Sequence, residues 1–246
     1  MIPRCLLRGD SFEGVGKLKT IGLVGGTGWV STAEYYRIIN EEINKRLGGL
    51  NFAKCILFSL NYGEIDSLSK KNDPAGIYSI LQNAADKLIN AGADCILICA
   101  NTLHQFADQL EQEINVPLIH IAQATAKTIN AHELKKVGLL GTKQTLEMDF
   151  YKSKLKENNI DVIIPGQDDR NFIQQTISNE LLKNIFLEKS RARFRMIIEK
   201  MQNEGAEGVI LGCTEIPLLV KQSDSTLPLF NTLEIHSLAA VDFALM

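Results

Sequence analysis

The sequence is short of the features that mark several large classes of protein. No apolar run in its 246 residues approaches the roughly 18 that a bilayer span needs, so no membrane partner is expected. Lys and Arg number 26 against 29 Asp and Glu, a net charge of −3 with no basic cluster, which gives no footing for nucleic acid. The five cysteines are odd in number, and none has a histidine at zinc-site spacing. That argues against a disulfide framework and a bound metal, and for free thiols in a reducing cytoplasm. Walker and Ser-His-Asp patterns are missing. The run Gly25-Gly26-Thr27-Gly28 falls short of a dinucleotide fingerprint, because Ser31 stands where the third glycine belongs. The second strand runs out into Ser59-Leu60-Asn61, with no acid to hold a ribose. A loop for a small anion is the better reading. Residues 1–17 lack the long apolar core of a signal peptide and read as an N-terminal tail.

What is present is a core-forming chain, 45% apolar, in which short β-branched runs alternate with longer helical stretches. That alternation predicts α/β architecture with parallel sheets. Strands are expected at 20–24, 55–58, 95–99 and 117–121, then near 137–141, 160–164, 208–212 and 228–230. Ser31 followed by Glu34 reads as a capping box for the first helix, which Gly48-Gly49 would end. Asp73-Pro74 opens another helix, closed by Gly92.

The two halves repeat. Leu18-Lys19-Thr20-Ile21-Gly22-Leu23-Val24-Gly25 recurs 116 residues on as Leu134-Lys135-Lys136-Val137-Gly138-Leu139-Leu140-Gly141. Asn90-Ala91-Gly92-Ala93-Asp94 recurs 113 residues on as Asn203-Glu204-Gly205-Ala206-Glu207. Two pseudo-symmetric lobes follow, each a parallel sheet flanked by helices. Ligands of parallel sheets bind beyond the carboxyl ends of the strands. The cleft between the lobes should therefore gather Thr27, Thr142, Ala100-Asn101-Thr102 and Cys213-Thr214-Glu215. Cys213 is the candidate for chemistry. It sits at a strand-to-helix turn, where helix amides would lower its pKa. Asn101 and Thr102 could cap a helix or hold a substrate carboxylate. Cys55 and Cys95 read as core residues, His120 as hydrogen-bonded structure, and His132 and His236 carry no signal.

Taken together these turns resemble the aspartate/glutamate racemase family. The matching segments are Gly22 to Gly28 with Ser31-Thr32, Asn101-Thr102-Leu103-His104, Pro117 to Ile121, Leu140-Gly141-Thr142 and Gly212-Cys213-Thr214-Glu215, in order over about residues 18–246. The likeness is greatest to its broad-specificity or L-aspartate/glutamate-specific branch. It implies a two-lobed fold, with lobe 1 at 18–117 plus 228–246 and lobe 2 at 118–227, commonly a homodimer, and an isomerase acting on an amino-acid substrate with no pyridoxal phosphate and no metal. Two opposed groups, typically cysteines, would flank the substrate Cα. The repeat and the family motif agree that Ala100 stands opposite Cys213, in a position usually filled by Cys or Thr. Cys99 is adjacent but faces the other side of its strand. The second proton is thus left to Cys99, His104 or water. A basic or amide family contact falls near Ser69, and a family lysine after Asp169-Arg170 falls at about Phe172. Three readings stay open: a one-cysteine racemase, slow or biased in direction; a single-cysteine decarboxylase or isomerase of a small dicarboxylic acid; and a non-catalytic amino-acid-binding member.

Overall fold

A computed structural model describes residues 18–246; the expected tail at 1–17 lies outside the described residues. The first sheet is three-stranded and parallel, in the order β2 (Lys54–Ser59), β1 (Thr20–Gly25), β3 (Cys95–Ile98). The second is four-stranded and parallel: β5 (Asp161–Ile163), β4 (Lys136–Gly141), β6 (Gly208–Gly212), β7 (Leu229–Asn231). The helices, in chain order, are α1 (Trp29–Leu47), α2 (Tyr62–Lys70), α3 (Pro74–Asn90), α4 (Ala107–Glu113), α5 (Ile121–Ala131), α6 (Lys143–Glu147), α7 (Asp149–Lys156), α8 (Gln167–Asn179), α9 (Glu188–Asn203), α10 (Ile216–Leu219) and α11 (Thr232–Ala244). Among the described residues no helix is long and apolar enough to cross a membrane. The two-lobed parallel α/β expectation holds.

Local chemistry explains most element ends. Asp73 accepts from Gly76 N–H (2.8 Å) with Pro74 in the first turn, as the sequence predicts for α3. Gly48 ends α1 at φ 71°. The capping box expected at Ser31 is not formed. The helix begins three residues earlier with Gly28 at its cap, Glu34 pairs with Arg37, and Ser31 turns inward.

Strand pleat divides the cores. In β3 and its extension, Cys95, Leu97 and Cys99 pack with Ile21, Leu23 and Tyr35, while Ile96, Ile98 and Ala100 face the cluster around α3. In β6, Val209 and Leu211, with Cys213 beyond, face α8 and α9, and Ile210 faces the opposite side.

The fourth strand expected at 117–121 shrinks to one parallel bridge, Ile96 with Leu118. It is nonetheless the counterpart of β7. Ile96 N–H donates to Pro117 O (3.0 Å) as Val209 N–H does to Pro228 O (2.9 Å). His120 then caps α5 through Ala122 N–H, as Asn231 caps α11 through Glu234 N–H. The repeat thus has a third segment, Pro117-Leu118-Ile119-His120 with Pro228-Leu229-Phe230-Asn231. It also corrects the lobe boundary at 228: residues 229–231 belong to the second sheet, and the return to the first begins at Thr232.

Past these segments the two lobes exchange helices. Helix α5 leaves the first sheet and buries Ile121, Ala122, Ala126 and Ile129 against Val137, Leu139 and Tyr151 of the second. Helix α11 leaves the second sheet and buries Leu233, Ala240 and Val241 against Ile21, Leu23 and Tyr35 of the first. The two helices also pack on each other.

Candidate active site

The carboxyl ends of β1, β3, β4 and β6 open on one cleft of about 340 Å³, lined by residues of both lobes. All nine positions singled out in the sequence reach it. Thr27 follows β1, Ala100, Asn101 and Thr102 follow β3, Thr142 follows β4, and Cys213, Thr214 and Glu215 follow β6; Ser69 comes from α2. The size suits a small ligand.

Cys213 is 6% exposed, and its thiol donates to Glu215 Oε2 at 3.1 Å. Thr214 Oγ1 reaches the same oxygen at 3.1 Å, and Ser31 Oγ donates to Oε1 at 2.6 Å from the other lobe. Ser31 and Thr214 hydroxyls lie 3.0 Å apart. All four residues are buried. The carboxylate's partners among the described residues are therefore neutral donors. Gly28 is required here, because a Cβ on it would stand 1.7 Å from Glu215 Oε1.

The expected lowering of the thiol's pKa is reversed. Burial, and then the Glu215 charge, push Cys213 well above the ordinary thiol range. Backbone amides of Glu215 and Ile216 pull the other way and are outweighed. Helix α10 has only four residues, too short to build the dipole that the turn pattern promised. The resting group is a thiol whose proton is already directed at a carboxylate.

The turn after β3 is built differently. Asn101 Nδ2 donates to Thr232 Oγ1 (3.0 Å), which itself donates to Leu211 O (2.8 Å). This chain fixes the amide's orientation and leaves the Oδ1 of buried Asn101 with no partner among the described residues; Thr27 Oγ1 is buried and without one among them too. Two orphaned polar atoms on one cleft mark a place for ligand donors. Thr102, Thr142 and Thr145 hydroxyls lie 2.9–3.2 Å apart, joining the lobes across the cleft.

Neither side chain weighed as the second proton carrier is placed for it. Cys99 packs on the far face of the sheet, its thiol pushed up by burial. His104 accepts from Ile121 N–H at Nε2 (3.2 Å), so Nδ1 carries the proton and donates to Ala100 O (2.7 Å). Burial pushes its pKa down to about 4. His120, read as structural, is that: it is buried as the cap of α5, and burial pushes it down to about 2. His236 is the member the sequence did not signal. It accepts from Tyr35 OH (2.9 Å), donates to Ile119 O (2.6 Å), and is pushed down to about 3. Phe172 does not line the cleft but meets Phe194 edge to face. Tyr62, Asp66 and Lys143 also line the cleft and were not singled out as substrate contacts. Ser31, hidden in capping-box text, was the main omission.

A two-lobed parallel α/β protein with a thiol at a cleft between duplicated halves defines a class, and comparison with known proteins gives it a family. The chain belongs to the Asp/Glu/Hydantoin racemase family, whose model matches residues 24–240; it is a family of isomerases. Broad specificity amino-acid racemase RacX of Bacillus subtilis is 25% identical over 222 residues, 86% of this chain and 92% of that one. A candidate Asp/Glu racemase from Yersinia pestis is 44% identical with a TM-score of 0.86, covering 93% of this chain and 100% of its own. An aspartate racemase homologue from Pyrococcus horikoshii is 36% identical with a TM-score of 0.80, covering 92% and 99%.

Proposed function

We propose that this chain racemises an acidic amino acid, aspartate or glutamate, with Cys213 moving the α-proton and Glu215 accepting the thiol's proton. The observation that carries the reading is the buried contact of Cys213 Sγ with Glu215 Oε2 on the cleft (3.1 Å). An α-proton is weakly acidic, so its removal needs a poised base and dense hydrogen bonding to the carboxylate as enolate character develops. Asn101 Oδ1, lacking a donor, suits the substrate ammonium. Hydroxyls of Thr27, Thr102, Thr142 and Thr214 suit carboxylate oxygens, and Ser69 adds another along α2.

In the proposed cycle the thiol proton passes to Glu215 Oε2, and the thiolate takes the α-proton. Ala100 has no proton to give, so water on the opposite face protonates the carbanion. The hydroxide left behind takes back the proton held by Glu215, and thiol and carboxylate are restored. Ala100 also favours a second reading, one-sided protonation after decarboxylation or isomerisation of a small dicarboxylic acid, for which malonate and maleate are the discriminating substrates. The racemase reading carries with it a homodimer in the cytoplasm.

The test is α-proton exchange in heavy water, followed by NMR on L- and D-aspartate and glutamate. Exchange is expected with the wild-type chain, and Cys213→Ser should slow it by about a thousandfold. If no acidic or neutral amino acid exchanges, the reading fails.

A further inference from the structure

We infer that Ser31 is a positioning residue for Cys213: reaching across from the first lobe, it holds the Glu215 carboxylate in line with the thiol. The inference rests on the reading of Cys213 and Glu215 given above, and adds a residue which that reading does not need.

The geometry is specific. Ser31 is fully buried in the first turn of α1, where its hydroxyl, from the first lobe, meets the second-lobe pair. Its bond to Glu215 Oε1 (2.6 Å) is the shortest around the carboxylate, and it fixes the oxygen that the thiol does not use. Among the described residues the remaining anchors of Glu215 are its chain neighbours Cys213 and Thr214. Those two move with Glu215 on one turn, so neither can set its aim relative to the rest of the protein. Ser31 can, because α1 is seated independently through Tyr35, Ile39 and Ile43 in the first core. The glycine at position 28 clears the space that the carboxylate must enter. A lone serine filling a helix end would need none of this. Its hydroxyl would be satisfied by Gly28 O alone, which lies 3.1 Å away.

A consequence is that the thiol is equipped with its proton acceptor only when the lobes are closed. Parting them by an ångström or two would remove Ser31 from Glu215 and leave the carboxylate free to swing. Displacements of that size cost catalysis roughly a hundredfold.

The experiment measures the thiol directly, without turnover. Alkylation of Cys213 by iodoacetamide is followed across pH 6–10 by mass spectrometry of the Cys213 peptide, in wild type, Ser31→Ala, Ser31→Thr and Glu215→Gln. Ser31→Ala is expected to speed alkylation at pH 8 by about tenfold and to shift the profile to lower pH, because a carboxylate free to swing away no longer disfavours the thiolate's charge. Ser31→Thr should return most of the profile to that of wild type, and Ser31→Ala should add nothing in a Glu215→Gln background. In exchange assays Ser31→Ala should lower kcat and leave KM within about twofold. If the Ser31→Ala profile overlays the wild-type one while circular dichroism shows a folded chain, the inference is overturned. If Ser31→Ala does not fold, a Ser31→Thr profile as fast as that of Glu215→Gln overturns it instead. A shifted profile in a chain that exchanges no amino acid would keep the role of Ser31 and sink the racemase reading alone.

Discussion

At the end of β3 a methyl group, Ala100, closes the strand, and its carbonyl is taken by His104 (2.7 Å). At the equivalent end of β6 a thiol, Cys213, has its proton directed at Glu215 (3.1 Å). Each turn reaches out to the other lobe or its exchanged helix, Asn101 to Thr232 and Glu215 to Ser31. The backbone plan is shared and the chemistry is not. One turn is braced by a neutral histidine and ends in an unpartnered acceptor; the other is a proton-transfer pair. Duplication supplies two symmetric places, and side chains decide which becomes reactive.

The largest blow to that asymmetry should come from Gly28→Ala. The new methyl occupies the seat of Glu215 Oε1, and the carboxylate can swing away at little cost to the fold. Proton exchange is expected to fall about a hundredfold while the melting temperature stays within a few degrees; a variant of wild-type rate would show that Glu215 need not sit where it does.

Acid should attack the first turn instead. The three buried histidines, His104, His120 and His236, are held below their ordinary value of 6.5, at about 4, 2 and 3. The unfolded chain binds protons on them below about pH 6.5 and the folded chain does not, so stability is full above that pH and drops as pH falls towards the folded values. Between pH 7.5 and 6 each contributes a loss of about 0.8 kcal/mol, roughly 2 kcal/mol together. Denaturant titrations at the two pH values check this. His104→Asn should flatten the dependence by about a third.

Ala100→Cys would sharpen the comparison by making the two turns alike. A second thiol opposite Cys213 should raise racemisation relative to one-sided exchange by about tenfold. Polarimetry and NMR on the same sample give that ratio, and an unchanged ratio would mean that water already serves the opposite face as well as a thiol does.

Much of this was readable in the chain. The buried strands are short β-branched runs, and two matched segments at nearly one offset, 116 and 113 residues, gave away the duplication. Eight of the nine cleft positions followed because parallel strands deliver their carboxyl ends to one side; Ser69, on α2, followed from the family resemblance. What failed was whatever depends on contacts between distant segments. Ser31 and Glu34 read as a capping box, since capping text is local and the pull of Glu215 from 184 residues away is not. The thiol's amides are visible at a turn, but burial and the Glu215 charge, which reverse their effect, are not. The third repeat segment was missed because Pro117 to Ile121 looks like a full strand, and nothing in it says that one bridge will suffice. The helix exchange was hidden for a related reason: an apolar helix face does not name the sheet it will cover.

That exchange bears on how the cleft can move. Helices α5 and α11 each run from one lobe onto the other and lie together at the centre, pegged by His236 between Tyr35 and Ile119. The halves are thus jointed on a common axle, each carrying the other's end of it. They can rock about that axle, as the two covers of a book turn on one spine, but they cannot slide apart. Any opening that admits substrate has to be a rotation, and a rotation brings both turns back to the same mutual address each time it closes.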